Sequence, residues 1–238
     1  MRLERIRAVL GETCIDATVQ EGFAGYVEPL IADARAGISD RISRDPFFGM
    51  TYSPCRPLPG DSVPVRRMCA ASVSAGVGPM AAVAGAVASH VLEGLRGLGC
   101  THAVIDNGGD VAVLPGRPVV VRILPDPGSE PAGLLVEPGE AVGICSSSGM
   151  NGHSVSLGGS DVCTVVSPDP VLADACATLL GNLVSSRDDL SGAVEEVAAV
   201  DGVSGCIACI GGETAVCGDI PELVPLRVQD RYPTRHLG

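Results

Sequence analysis

The chain has 238 residues, which is enough for one large domain with a sizeable core. Apolar residues make up 46% of it, which excludes a disordered chain, and the net charge of −12 argues against nucleic acid or an anionic membrane as a partner. Residues 1–10 do not form a signal peptide and no stretch is long and apolar enough to span a membrane, so we predict a cytoplasmic protein. A phosphorylated ligand is still compatible with this charge, because backbone N–H groups and one or two Arg can hold it.

The first half of the chain predicts a strand, two helices and an irregular connection. Residues 13–20 alternate weakly as a strand does, and residues 27–42 place apolar side chains at helical spacing. Residues 45–64 contain five Pro and two Gly, which predicts a turn-rich connection. Residues 63–68 are predicted as a short strand with Arg66 and Arg67 on opposite faces. Residues 76–99 are Ala-rich and apolar on nearly all sides, which is typical of a buried helix.

The second half predicts mostly strands. Two apolar runs flank Asn107-Gly108-Gly109, which indicates a β-hairpin within residues 101–116. Pro168 and Pro170 open a predicted helix that contains residues 172–182. Further strands are predicted at 118–124, 133–137, 141–146, 162–167 and, as a pair, 204–217, with a loop at 146–152 and a weaker helix near 190–199.

An internal sequence repeat suggests a duplicated architecture. The stretch AVIDNGGDVAV at 103–113 resembles CIACIGGETAV at 206–216, because in each an apolar run meets Gly-Gly, then an acid, then Ala-Val. We therefore predict an α+β fold: one domain over 1–238, built from two related halves at approximately 1–125 and 126–238. Each half would pack a buried helix against an antiparallel sheet, with a cleft where the halves meet.

Ten Cys are scattered along the chain, mostly among apolar neighbours, and we interpret them as free thiols that fill the core. Cys206 and Cys209 form the one CxxC, in a β-like run where residues three apart point to opposite faces. That geometry suits neither a zinc knuckle nor a redox pair. A metal–sulfur site that also uses Cys217 is the alternative.

Asp174 and Thr178 are the most informative polar residues, because both lie in a helix otherwise made of small apolar side chains. Their i, i+4 spacing puts both side-chain oxygens on one helical face. A carboxylate and a hydroxyl near a helix start are suited to a hard cation such as Mg²⁺ that also binds substrate phosphates. The alternative is that Asp174 caps nearby backbone N–H groups and Thr178 bonds back to its own helix.

Two loops are further candidates. The Gly residues of NGGD, at 107–110, permit close approach of a ligand to the backbone, although an ordinary hairpin bend has the same sequence. SSSGMNGHS, at 146–154, collects hydroxyls, Gly and His153, and such a loop can present donors to an anion. A surface loop without a ligand is the alternative interpretation of this segment.

Three segments occur in one order: an apolar helix leading to a strand and Gly-Gly-Asp, a Ser-Gly loop with a His, and a strand leading to Asp-Ala-Cys-Ala-Thr. This order, over residues 76–182, resembles the ApbE-like superfamily, whose best-known members are FAD:protein FMN transferases. The likeness is greatest to an uncharacterised prokaryotic branch. It implies an α+β, T-fold-like duplication, with Asp174 and Thr178 as Mg²⁺ ligands. The site-lining residues that it implies are Gly108, Gly109, Asp110, Ser148, Gly149 and His153.

The chain also departs from the transferase pattern. Ala84-Gly85 stands where the transferases have Lys-Gly, and the transferase His-Ile-x-Asp-Pro-x-Thr-Gly signature is reduced to the four residues 153–156. Only 3 Tyr and 3 Phe, and no Trp, are available to clamp a flavin ring. These departures argue against flavin transfer and against a flavin nucleotide as the cofactor.

The sequence supports two hypotheses. The first is a cleft for a small anionic or nucleotide-like molecule with a divalent cation; if the protein is an enzyme, it is a Mg²⁺-dependent transferase. The second is a non-catalytic ligand-binding or assembly protein that keeps the fold without the transferase chemistry. A homo-oligomer is compatible with both.

Overall fold

In the computed structural model, the described residues are 1–123, 132–147 and 160–226, together with the backbone of 234–236. The described strands are β1 (Leu3–Leu10), β2 (Thr13–Gln20), β3 (Ala103–Asn107), β4 (Asp110–Leu114), β5 (Val119–Ile123), β6 (Ala132–Val136), β7 (Val142–Ser147), β8 (Val162–Ser167), β9 (Gly205–Ile210), β10 (Glu213–Gly218), β11 (Glu222–Pro225) and β12 (Thr234–His236). Eight form one sheet in the order β1-β2-β3-β4-β7-β8-β9-β10, and four form a second in the order β11-β6-β5-β12. Every neighbouring pair is antiparallel.

The larger sheet is the middle of three layers. Its one face packs against the described helices, which are α1 (Val27–Arg44), α2 (Val63–Ala75), α3 (Val83–Gly97), α4 (Pro170–Leu183) and α5 (Leu190–Ala198). Its other face packs against the smaller sheet through a second apolar core that includes Val113, Val121, Leu134 and Ile144. The fold is therefore α+β, as the sequence predicts.

Helix α4 lies at the centre of the helical layer, where it contacts β7 and β8 and packs against α2 and α3. Its start follows from the sequence: the Asp169 carboxylate accepts from the Val171 N–H at 2.9 Å, and Pro170 occupies the first turn. Most of its side chains are buried, Asp174 and Thr178 among them. The position of α4 explains why its composition is so apolar.

Most predicted elements are confirmed, but the strand predicted at residues 63–68 is wrong. This segment begins α2, because Pro64 fits a first helical turn and buried Val65, Met68 and Ser72 recur at helical spacing. A six-residue window is too short to separate that period from a strand. The sequence pattern does not predict strand β1, because its Arg side chains obscure the alternation of apolar and polar residues that is typical of an edge strand.

The prediction that the Cys are core thiols is confirmed for most of them. All ten are thiols rather than members of disulfides, and six of them are buried. Cys206 packs in the core beneath the helices, whereas Cys209 packs beside the core between the two sheets. The two thiols of the CxxC therefore point to opposite faces of β9, as predicted.

The turn-rich connection between α1 and α2 is attached to the helical layer by a buried ion pair. The Arg41 guanidinium, 2% exposed, binds the fully buried carboxylate of Asp61 and lies over the Phe48 ring with 4.6 Å between the guanidinium carbon and the ring centre. Asp61 also accepts from Arg44 at 2.7 Å and from the Leu58 N–H at 2.7 Å. These contacts order a segment that has little regular secondary structure.

Within the described residues, no single helix has both the length and the apolar character to cross a membrane. The pair Val63–Ala75 and Pro79–Gly97 reaches that length and composition only when combined, and the two parts are bent by 109°.

Candidate functional site

Asp174 is buried in α4, with 8% of its surface exposed, and it is bonded to the neighbouring helix. Its carboxylate accepts from the backbone N–H of Gly85, in the first turn of α3, at 2.7 Å. First-turn N–H groups have no partner within their own helix, so Asp174 caps α3 from outside. Burial raises the pKa of Asp174 to about 7, although the N–H groups of Gly85 and Ala84 oppose this shift.

Asp110 places a second carboxylate near that of Asp174. It begins β4, and it lies on the helix-facing side because Ala112 and Leu114, at the same strand period, pack in the core beneath the helices. Desolvation raises the pKa of Asp110 well above its usual range, and the charges of Asp174 and Asp106 raise it further. Asp110 is half-buried, but like charges this close resist joint ionisation, so this pair tends to hold a proton or a cation.

Cys145 and Ser147 of β7 lie on the same helix-facing side of the sheet as Asp110. Cys145 is paired in register with Asp110 and its thiol donates to the Pro170 carbonyl at 3.4 Å. Burial and the charges of Asp110 and Asp174 raise the pKa of that thiol well above its usual range. Ser147, two residues on, is buried and its hydroxyl has no hydrogen-bond partner within the described part of the chain. No sequence pattern marks Cys145 as a site residue, and Ser147 stands out only as part of the hydroxyl-rich segment at 146–154.

Thr178 lies one helical turn beyond Asp174 and is equally buried, at 8% exposure. Asp174 does accept backbone N–H groups, as the alternative required, but they belong to α3. A cation site and a capping role are therefore both compatible with this pair.

The Gly-Gly bend joins β3 to β4 beside the start of α3. Gly108 and Gly109 have φ of +73° and +106°, which other residues rarely adopt, and the predicted hairpin is confirmed. The Asn107 side chain donates to the Ala84 carbonyl at 3.2 Å, and the Gly109 N–H donates to Asp106 at 2.9 Å. The bend is thereby fixed against α3, the helix that Asp174 caps.

Arg66 and Arg67, predicted on opposite faces of a strand, lie on helix α2 instead. Arg67 donates to Glu93 of α3 at 2.6 Å and to Asp169, the cap of α4, at 2.7 Å. Arg66 donates to the Asp61 carbonyl. Neither guanidinium is a ligand group of the site; Arg67 instead ties together the helices that carry the site.

Three predicted residues, Ser148, Gly149 and His153, lie outside the described residues. The structure therefore brings together Asp110, Asp174, Thr178 and the Gly-Gly bend. No group of three or more His, Cys, Asp or Glu in the described part of the chain could hold a metal ion. A cation bound here would need oxygen atoms from hydroxyls, water or a ligand.

The sequence pattern of the protein family described as AbpE bacteria matches residues 5–204. The chain belongs to this family. It is also similar to archaeal proteins named UPF0280 protein. The one from Methanocella arvoryzae is 38% identical over 91% of this chain and 89% of its own length. The one from Methanothrix thermoacetophila is 43% identical over 84% of this chain and 85% of its own length. The resemblance to the ApbE-like superfamily is confirmed.

Solved structures agree on the fold. The flavin transferase ApbE from Vibrio cholerae matches with a TM-score of 0.60 and 12% identity, over 91% of this chain and 97% of its own. The Pseudomonas stutzeri flavinyl transferase ApbE in its apo form matches with a TM-score of 0.58 and 14% identity, over 91% of this chain and 94% of its own. At these identities the likeness shows the fold alone.

Proposed function

We propose that this member of the family binds a small anionic or nucleotide-like ligand together with a divalent cation, in a site centred on Asp174. One observation carries the proposal: Asp174 is buried and its charge raises the pKa of Asp110, so the two carboxyl groups lie close enough to resist joint ionisation. Burying such a pair is costly unless something neutralises it. A divalent cation does so at any pH where the carboxylates are ionised.

The donor set fits a hard cation. Asp174 offers a carboxylate and Thr178 a hydroxyl on one face of α4, and Asp110 adds charge from β4. Mg²⁺ commonly takes one or two carboxylates from a protein and completes its shell with water and phosphate oxygens. Two protein side chains are therefore sufficient if the ligand carries phosphate. When bound, the cation would offset negative charge on a diphosphate.

The ligand would lie beside the Gly-Gly bend. Gly108 and Gly109 leave the backbone open there, because no described atom lies within 4 Å of an added Gly108 side chain and only the Ser146 carbonyl, at 3.8 Å, approaches one at Gly109. The buried hydroxyl of Ser147 supplies one donor. Ser148, Gly149 and His153 follow it in sequence and are proposed as further contacts.

A flavin nucleotide is one member of this ligand class, because the structural neighbours are named flavin transferases. A second candidate function, ligand binding without transfer, is favoured by Ala84, which contributes only its backbone where the transferases carry Lys. Binding without turnover would support this second function, and transfer of FMN to a protein would contradict it.

The experiment is thermal unfolding with Mg²⁺ alone, with ADP, FMN or FAD alone, and with each pair. A ligand at about a hundred times its Kd adds about 2.7 kcal/mol of stability, which raises Tm by several degrees in a chain of this size. We expect the paired shift to exceed the sum of the separate shifts. Asp174→Asn should abolish it, Thr178→Ala should reduce it, and exposed Asp201→Asn should leave it unchanged. A shift that survives Asp174→Asn or EDTA contradicts the proposal.

We also propose that the domain is a T-fold-like duplication of two halves, approximately 1–125 and 126–238. Two features support it. The similar segments at 103–113 and 206–216 occupy the β3–β4 and β9–β10 hairpins. In the chain, each of these hairpins comes after an antiparallel strand pair, β1–β2 or β7–β8, and after the helices that follow that pair.

A further inference from the structure

The larger sheet has two open edges within the described part of the chain, β1 at one end and β10 at the other. Leu10 pairs with Thr13 across a two-residue turn. Backbone hydrogen bonds to β2 therefore alternate from Leu10 onward, and the N–H and C=O groups of the odd-numbered residues of β1 point away from β2. The same argument makes Thr214, Val216 and Gly218 the outward residues of β10. Neither strand contains Pro, which often protects such edges.

The two edges carry opposite charge. Residues 1–10 contain three Arg and one Glu, although the whole chain has a net charge of −12. Residues 213–222 contain Glu213, Asp219 and Glu222 with no Lys or Arg. Arg187 already pairs with Glu213 at 2.9 Å, Arg2 pairs with Glu21 at 3.8 Å, and Glu222 belongs to β11 of the smaller sheet. The charges offered to a second copy are therefore those of Arg7 on β1 and of Asp219 directly after β10. Opposite charges at the two ends of one sheet favour contact between different ends of two copies.

Apolar side chains at both edges are only half covered. Ile6 and Leu10 of β1, and Ala215 and Cys217 of β10, face the helices and pack against the core with part of their surface still exposed. A groove of about 590 Å³ runs between β1 and α1. One exposed Val stands on the opposite side of each edge strand: Val9 is 63% exposed and Val216 is 45% exposed.

We infer that β1 of one copy pairs with β10 of a second copy, so that the eight-stranded sheets join head to tail. Eight strands that alternate in direction leave β1 and β10 antiparallel, so the added pair continues the antiparallel order. The pairing satisfies the outward backbone groups and covers the half-exposed apolar side chains. Because the contact is head to tail, repetition closes a ring or extends a filament, and assemblies larger than a dimer form.

The test is the solution mass of the wild-type protein and of two edge variants, measured by light scattering after gel filtration. Val9→Pro blocks the β1 edge, because it removes an outward backbone N–H without breaking a bond to β2, and Val216→Lys blocks the β10 edge, because Lys on an edge strand disfavours pairing. Both side chains are exposed, so neither change disturbs the core. Val73→Lys is the matched control, on a helix with 58% exposure.

The wild type and Val73→Lys are expected to assemble beyond a dimer. Each edge variant alone should have the monomer mass of 24.1 kDa. An equal mixture of the two edge variants should form a one-to-one dimer, because each supplies the edge that the other lacks. Three results would overturn the inference: a monomeric wild type at all concentrations, an assembly that only one of the edge variants disrupts, or edge variants that do not combine.

Discussion

The carboxylate of Asp174 in α4 accepts a hydrogen bond from the backbone N–H of Gly85 in α3, with 2.7 Å between the two atoms. The contact is close because Gly85 has no side chain to hold the helices apart. It gives Asp174 a structural role as the external cap of α3. Because the carboxylate of Asp110 lies nearby, we assign Asp174 a second role in binding a cation.

Replacing Asp174 by Asn should separate these two roles. The Asn amide oxygen can still accept from Gly85, while the like charge beside Asp110 is removed. We expect Asp174→Asn, without added cation, to be more stable than the wild type at pH 8 by at least about 1 kcal/mol. Asp174→Ala, which also loses the cap, should be less stable than Asp174→Asn by about 1 kcal/mol. Urea unfolding measures both; an Asn variant less stable than the wild type would contradict the assignment.

The same carboxyl predicts a pH dependence of stability. The pKa of Asp174 is raised from 3.8 to about 7, so between these values the native state holds a proton that the unfolded chain has released. The contribution of Asp174 to the free energy of unfolding should therefore fall as pH rises from about 4 to about 7. The raised pKa values of Asp106 and Asp110 act in the same direction. Buried His102 acts in the opposite direction, because its pKa is lowered from 6.5 to about 4. The test is therefore the difference between the two proteins: the advantage of Asp174→Asn over the wild type should grow as pH rises from about 4 to about 7, and a constant difference would be inconsistent with a raised pKa at Asp174.

Gly85→Ala tests how closely α3 and α4 approach. An added Cβ would lie 2.8 Å from the Cβ of Asp174 and closer still to the Pro170 carbonyl oxygen, so the helices must separate. We expect a loss of about 1–3 kcal/mol, together with loss of the Asp174 hydrogen bond. Gly97→Ala in the same helix meets no described atom within 4 Å and should be neutral or slightly stabilising. Chemical unfolding measures the stability of both variants. Equal stability of Gly85→Ala and Gly97→Ala would mean that α3 and α4 can move apart without cost.

The buried ion pair of Arg41 and Asp61 predicts a large effect away from the site. Asp61→Ala removes the buried carboxylate from a guanidinium that is 2% exposed and leaves it only the half-buried Asp45 at 3.1 Å, so we expect a loss of about 3 kcal/mol. Asp40→Ala removes only a surface partner of Arg44 and should cost less than about 1 kcal/mol. Near-equal losses in the two variants, measured by urea unfolding, would show that the pair does not anchor the connection between α1 and α2.

The elements with strong local signals are predictable from the sequence. The Gly-Gly hairpin follows from two apolar runs around a bend, and α4 from Pro170 and an unbroken apolar stretch. Residues 63–68 resemble a strand because six residues span less than two helical turns, so alternation and helical periodicity look alike. Strand β1 gives a weak signal because an edge strand is half exposed and tolerates charge on its outer face.

The site is predictable only in part. Asp174 stands out because a carboxylate among aliphatic residues needs an explanation that local sequence does not give. Its actual partner, the Gly85 N–H, is 89 residues away along the chain and depends on how α3 packs against α4. Cys145 carries no polar pattern of its own; only the pairing of β4 with β7 places it opposite Asp110.

Diffraction from crystals grown with Mn²⁺ and ADP, with anomalous scattering recorded at the manganese edge, shows whether a cation binds at Asp174. We expect an anomalous peak about 2.0–2.2 Å from oxygen atoms of Asp174 and Thr178, with ADP phosphate oxygens on the same ion. Asp174→Asn crystals should lack the peak. A strong Mn²⁺ peak elsewhere, with protein or water alone around Asp174, would contradict that expectation.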